Sequence, residues 1–167
     1  MLITHEIFMR RCLDLARKGM GKVSPNPMVG AVLVYDNRII GEGYHEVYGQ
    51  AHAEVNCINS VVESDRHLVS ASTLYVSLEP CSHFGKTPPC TNLILANNIT
   101  KVVIGSLDPF KEVNGKGIAM LRENGVEVIG PVLEKEANLM NRRFFLYQQH
   151  KRPYIILKWA ESANGWM

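Results

Sequence analysis

Four side chains in this 167-residue chain have types and spacing that suit metal chemistry: His52, Glu54, Cys81 and Cys90. The cysteines enclose the arch SHFGKTPP, eight residues long, whereas a metal-binding pair is usually separated by roughly two to four residues. Cys81 follows an apolar β-type run and a proline. Cys90 sits in the first turn of a predicted helix, where free N–H groups and partial positive charge favour a thiolate. His52 also starts a predicted helix, and Glu54 lies two residues on. Two thiolates and an imidazole make three ligands and leave the fourth position of a tetrahedral zinc open for water, the arrangement of a catalytic rather than a structural zinc. Each signal alone is bland: a His-x-Glu is commonly a solvated helix start, and spaced cysteines are usually buried thiols. In this order, at a helix start, a strand end and a helix start, they point together to a metal-acidified water. Glu54, held off the metal, is then free to carry protons.

The elements that must position these residues alternate. THEIFMRRCLDLARKG predicts a helix capped by Thr4 and stopped by Gly19 and Gly21, with Phe8, Cys12, Leu15 and Ala16 on its apolar face. GAVLVYDNRIIGEGY predicts a hairpin turning at Asp36-Asn37. HAEVNCINSVVE reads as a second helix, STLYVSLEP as a strand ending at Pro80, and PPCTNLILANN as a third helix with Thr87 or a neighbour as cap. KVVIGSL, GKGIAMLRENG and VEVIG follow as strand, helix and short strand, and VLEKEANLMNRRFFLYQQH as one long closing helix. This order predicts an α/β sandwich with helices on both faces of a mixed sheet. KRPYIILKWAESANGWM then starts a new strand after a basic, proline-marked junction at Lys151-Arg152-Pro153. Cys12 and Cys57 fall on apolar helix faces as core thiols, and His5, His67 and His150 are expected at the surface.

Composition narrows the function classes. A net charge of +2, with 46% hydrophobic and 20% charged residues, is an ordinary globular balance that points neither to nucleic acid nor to a membrane. No apolar run is long enough to span a bilayer, and MLITHEIFMRRC carries charge where a signal peptide would be apolar. A cytoplasmic location is expected, where cysteines serve metals or catalysis more often than disulfides.

His52-Ala53-Glu54, followed by Pro80-Cys81 and Cys90, matches the signature of the zinc deaminases, most of which keep two residues between the cysteines. The longer arch, together with SPNPMVGAVLV, GEGYHEVYGQAHAE, LEPCSHFGKTPPC, SLDP and NGKGI, closely resembles the deaminase half of the bifunctional riboflavin-biosynthesis deaminase/reductase family. The resemblance spans nearly residues 5–150, and the tail RPYIILKWAESANG resembles the start of that family's reductase half. It implies a cytidine deaminase-like, three-layer α/β/α sandwich with about five strands in a mixed sheet. Residues 1–150 would be a zinc-dependent pyrimidine deaminase domain, and residues 151–167 a linker and the first strand of a truncated reductase domain.

The resemblance also implies roles. One zinc per chain would be held by His52, Cys81 and Cys90, with Glu54 as proton shuttle. Asn26 would hold the pyrimidine ring, His45, His83 and Lys86 would line the ribose and phosphate end, and Ala53 and Asp108 would make further substrate contacts. The reaction would replace the 2-amino group of 2,5-diamino-6-(5-phosphoribosylamino)pyrimidin-4-one with oxygen, giving 5-amino-6-(5-phosphoribosylamino)uracil and ammonia. NADPH would serve only the reductase domain, so no reductase activity is expected of this chain; a homo-oligomer is compatible with the pattern. One departure stands out. The family commonly reads Asp-Pro-Asn where this chain has Asp108-Pro109-Phe110, and Asn114 or the NGKG turn is the candidate replacement for the lost polar contact. Two rival readings exist. Another nucleotide or tRNA deaminase of the superfamily would want the two-residue cysteine spacing and, for tRNA, a basic face. A non-enzymatic zinc module would want four protein ligands where the chain offers three.

Overall fold

The computed structural model describes residues 2–85, 88–110 and 114–165. Lys86 and Thr87, expected as a substrate contact and a helix cap, lie outside the described residues. Five strands form one sheet: β1 Gly30–Tyr35, β2 Arg38–Tyr44, β3 Thr73–Val76, β4 Lys101–Ile104 and β5 Glu127–Ile129. Their spatial order is β2-β1-β3-β4-β5. β1 runs antiparallel to both β2 and β3, whereas β3, β4 and β5 are parallel. The hairpin turns where predicted, with φ of 47° at Asp36 and 60° at Asn37. Two successive left-handed residues make the turn whose twist matches a right-twisted strand pair, and Asp and Asn tolerate that region.

Side-chain alternation along the strands divides the core in two. Val32, Val34, Tyr75 and Val103 face Phe8, Met9, Cys12 and Leu15 of α1 (Leu2–Arg17). Ala31, Leu33, Leu74, Val76, Val102 and Ile104 face the opposite layer. That layer is α2 (Ala53–Asn59), α3 (Cys90–Ala96) and α4 (Lys116–Glu123), through Cys57, Ile58, Ile94, Ile118 and Leu121. Both cysteines read as core thiols, Cys12 and Cys57, are fully buried. Gly43 lets α2 lie directly on β2, since a Cβ there would meet the backbone nitrogen of Cys57 at 2.2 Å. No helix among the described residues is long and apolar enough to cross a membrane.

Three expectations require correction. Helix α1 begins at Leu2, so Thr4 lies inside it rather than capping it. The closing helix is two helices, α5 (Glu134–Met140) and α6 (Arg142–His150), broken at Asn141 with φ −100° and ψ 19°. The physical reason is a buried bridge: Asn141 Nδ2 donates to the Met28 carbonyl at 2.8 Å, and the Met28 N–H donates to Asn141 Oδ1 at 2.8 Å. The side chain holds both the N–H and the C=O of a distant residue, which fixes the backbone at Asn141 while its own N–H and C=O still bond Ala137 and Phe145. The third correction is YIILKWA, which carries no regular secondary structure. A strand needs a neighbour for its N–H and C=O groups, and none of the five strands pairs with it; Ile155, Leu157 and Trp159 are exposed.

The Asn141 bridge predicts a stability effect. Asn141→Ala leaves the half-buried N–H and C=O of Met28 without that partner and should cost about 1–3 kcal/mol in urea unfolding. Asn124→Ala, which removes only an exposed bond to Met120, should stay within about 0.5 kcal/mol. Equal costs would show that the bridge is not what sets the break between α5 and α6.

Candidate active site

Two helix starts and one strand end deliver the metal-binding candidates. His52 is the residue before α2 and has extended backbone, with φ −74° and ψ 166°. Cys90 is the first residue of α3. Cys81 lies beyond β3, and its carbonyl accepts the Thr91 N–H at 3.1 Å, which ties the strand end to α3. The imidazole Nδ1 of His52 is 3.3 Å from Cys90 Sγ and 3.6 Å from Cys81 Sγ. All three donor atoms lie within 4.8 Å of one another, in a group that does not include Glu54. Tetrahedral zinc, with Zn–N near 2.0 Å and Zn–S near 2.3 Å, sets N and S donors roughly 3.5 Å apart. The donor set therefore fits that ion.

Electrostatics support the same fit. The Cys90 thiol and the His52 ring hydrogen-bond to Cys81 and hold its thiol well below the usual range. The Cys90 N–H, at the start of α3, also donates to Cys81 Sγ at 3.4 Å. Cys90 is pushed up in turn, by the bond to Cys81 and by burial. Glu54 is 3% exposed; burial raises its carboxyl, and the Cys81 charge adds to the effect. Three acidic groups this close in a dry site oppose one another's ionisation, and a divalent cation is what would let both thiolates persist.

One cavity of about 500 Å³ opens on this group. It is lined by Asn26, His45, Ala53, His83 and Asp108, among the expected substrate contacts, as well as by His52, Glu54 and Cys81. His45 is buried, with Nδ1 3.0 Å from the Ala51 carbonyl and Nε2 3.2 Å from Asn26 Nδ2. Burial lowers its pKa, so the ring is neutral: Nδ1–H donates to Ala51, and Nε2 accepts from Asn26. That bond orients the Asn26 amide and leaves its carbonyl end for a ligand. Asp108 is pushed up to about 6, first by burial and then by the neighbouring charges of Glu79 and Cys81. The Asp108 Oδ1 accepts the Phe110 N–H at 2.8 Å.

The odd residue of the motif, Phe110, lines the cavity itself. Its ring meets His83 edge-on, with centroids 5.8 Å apart, and His83 Nδ1 is buried and has no hydrogen-bond partner among the described residues. Asn114, the candidate replacement for the family's polar residue, is exposed and is not among the residues that line the cavity. The peptide N–H groups of Gly115 and Gly117 in the NGKG turn are taken by Glu79. The sequence reading missed Glu79, whose only signal was a single charge in an apolar run. It also missed Phe144, Tyr147 and Gln148, which line the cavity from α6, beyond the break at Asn141.

Comparison with known proteins places this geometry in context. The family model described as the cytidine and deoxycytidylate deaminase zinc-binding region matches residues 2–106. The riboflavin biosynthesis protein RibD of Aquifex aeolicus is 47% identical over 158 residues, covering 95% of this chain and 43% of its own. The chain thus spans less than half the length of that relative. The diaminohydroxyphosphoribosylamino-pyrimidine deaminase of Buchnera aphidicola is 44% identical over 138 residues, covering 83% of this chain and 91% of its own. Among solved structures, the diaminohydroxyphosphoribosylaminopyrimidine deaminase/5-amino-6-(5-phosphoribosylamino)uracil reductase of Thermotoga maritima superposes with a TM-score of 0.91. It is 45% identical, covering 98% of this chain and 46% of its own.

The burial pattern sets cysteine reactivity. Cys81 is half-buried, while Cys12, Cys57 and Cys90 are buried. In chelator-treated protein at neutral pH, N-ethylmaleimide should modify Cys81 first and leave Cys12 and Cys57 intact. Added zinc should protect Cys81. Peptide mapping that shows Cys12 labelled as fast as Cys81, or no protection by zinc, would contradict this placement of the donor group.

Proposed function

The chain belongs to the cytidine and deoxycytidylate deaminase zinc-binding family, in the branch of the diaminohydroxyphosphoribosylaminopyrimidine deaminases, and on that premise we propose that it deaminates 2,5-diamino-6-(5-phosphoribosylamino)pyrimidin-4-one in riboflavin biosynthesis. In this reading residues 1–150 are the deaminase unit. Residues 151–167 begin the region in which the longer relatives continue, and any NADPH-dependent reduction belongs to that region. The observation that carries the reading is that one cavity collects the His52 and Cys81 donors, the buried Glu54 and the polar wall of Asn26, His83 and Asp108.

The net reaction is a hydrolysis: oxygen takes the place of the 2-amino group on the ring carbon, and ammonia leaves. Zinc held by His52, Cys81 and Cys90 would supply a water acidified from a pKa of about 15.7 to about 7. Glu54 carries the protons. Its buried carboxylate takes a proton on the water side and passes it to a ring nitrogen, then takes the second proton of that water from the new hydroxyl on the ring carbon and gives it to the leaving amine. The raised pKa suits this task, since a group that titrates nearer the working pH both accepts and releases. Asn26, with its amide oriented by neutral His45, offers its carbonyl to a ring N–H or amino group. The reading assigns the sugar-phosphate end of the substrate to His83 and Lys86, and the arch between Cys81 and Cys90 that contains them is what distinguishes the sequence from deaminases with a two-residue spacing.

Ammonia release from the phosphoribosyl pyrimidine, measured against cytidine, tests the reading: turnover of the first and none of the second is expected, and the reverse would overturn it. Glu54→Gln should retain about one zinc per chain and lose roughly 10²–10⁴-fold in kcat; zinc lost along with activity would show that the carboxylate was a ligand. Lys86→Ala should lower kcat/KM more for the phosphorylated substrate than for its dephosphorylated form, because a charge-assisted contact is roughly twice as strong as a neutral one. Equal losses would remove Lys86 from the phosphate contacts.

A further inference from the structure

Glu79 sits two residues before Cys81 and is 4% exposed. Among the described residues its carboxylate makes no ion pair; it accepts peptide N–H groups instead. Oε2 accepts from Gly115 at 2.9 Å and from Asp108 at 3.3 Å. Oε1 accepts from Gly117 at 3.0 Å and from Ile118 at 3.4 Å. Its own N–H donates to the Ser106 carbonyl at 2.9 Å. Helix α4 has no side-chain cap of its own, so Glu79 satisfies its first N–H groups from another part of the chain, where a negative charge is favoured. Gly117 makes the approach possible, since a Cβ there would meet the Pro80 carbonyl at 2.1 Å.

Both ends of this clamp are walls of the cavity. Glu79 lies on the segment that carries Cys81, and one of the N–H groups it holds is that of Asp108, while the other three belong to Gly115, Gly117 and Ile118 at the start of α4. A cap that only stabilised α4 would not need to reach Asp108. We propose that Glu79 is a positioning residue: its carboxylate fixes how far the Asp108–Phe110 wall stands from the His52–Cys81–Cys90 group, and so where a bound pyrimidine lies relative to that group. The role rests on the functional reading above. Gln at this position keeps the shape but has one acceptor oxygen for four N–H groups, and its amide N–H would oppose two of them. Asp keeps the charge and shortens the reach by one methylene.

Hydrogen exchange and kinetics on the zinc-loaded chain test it together. In Glu79→Gln, and likewise in Glu79→Asp, the amides of Asp108, Gly115, Gly117 and Ile118 should exchange about tenfold faster, the loss of roughly one hydrogen bond each. Amides in β3 and β4 should be unchanged, and zinc content should equal that of the wild type. kcat/KM on the phosphoribosyl pyrimidine should fall about 10²-fold, the scale of a small misplacement, with most of the loss in kcat. If Glu79 acts through the Asp108 wall, Glu79→Gln combined with Asp108→Asn should lose no more than about threefold beyond the worse single variant, since residues that act as a unit are not additive. Fully multiplied losses, unchanged exchange at the four amides, or fold and zinc lost along with activity in both Glu79 variants would overturn the proposal. A wild-type chain that does not deaminate this substrate would overturn the functional reading alone, and the exchange comparison would still decide whether Glu79 holds the wall.

Discussion

Three acidic groups crowded into a dry site set the terms for the rest of this structure. Cys81, Cys90 and Glu54 cannot all ionise beside one another without a cation: Cys81 is pulled down at the expense of Cys90, and Glu54 is pushed up by burial. A zinc-sized gap between His52 Nδ1 and the two sulfurs answers the two thiolates and leaves the glutamate its protons. The fold has to bring these groups together at one point.

The sheet does this with short, well-buried elements. The layer of α2, α3 and α4 packs on one face through Ala31, Leu33, Leu74, Val76, Val102 and Ile104. With that face filled, the start of α2, the start of α3 and the end of β3 have little freedom to move apart. The bond from the Thr91 N–H to the Cys81 carbonyl closes the remaining gap. Helix starts are well chosen for the donors, because unpaired N–H groups point outward there and favour sulfur as thiolate.

Around this centre the cavity is assembled from segments far apart in the chain, each fixed by one buried polar side chain. Asn141 binds both groups of the Met28 peptide, 113 residues away, and so sets α6 beside the loop that presents Asn26. His45 is held by Ala51 and orients Asn26 in turn. Glu79 joins the end of β3 to the loop after β4 and to the start of α4. Buried polar groups of this kind are costly unless fully bonded, which makes each of them a strict specification of one arrangement.

The local signals were legible in the sequence. Alternation in GAVLVY and RIIGEGY, with Asp36-Asn37 between them, defined the hairpin to within a residue, because strand period and turn chemistry depend on neighbours only. His52, Glu54, Cys81 and Cys90 stood out because each lies at an element boundary, and the order of helices and strands was enough for an α/β sandwich. The failures share a cause. The long closing helix broke at Asn141, and Glu79 passed unremarked, because the partners of both lie tens of residues away and no local pattern encodes them. YIILKWA has a strand's composition but no neighbouring strand, and composition cannot supply one. The sequence by itself determined the chemical types at the site and the elements that carry them. Which backbone each buried polar side chain binds, and hence the shape of the cavity around Asn26, His83 and Asp108, was decided only by tertiary packing, since hydrogen bonds across the fold depend on distances that the chain acquires when it closes.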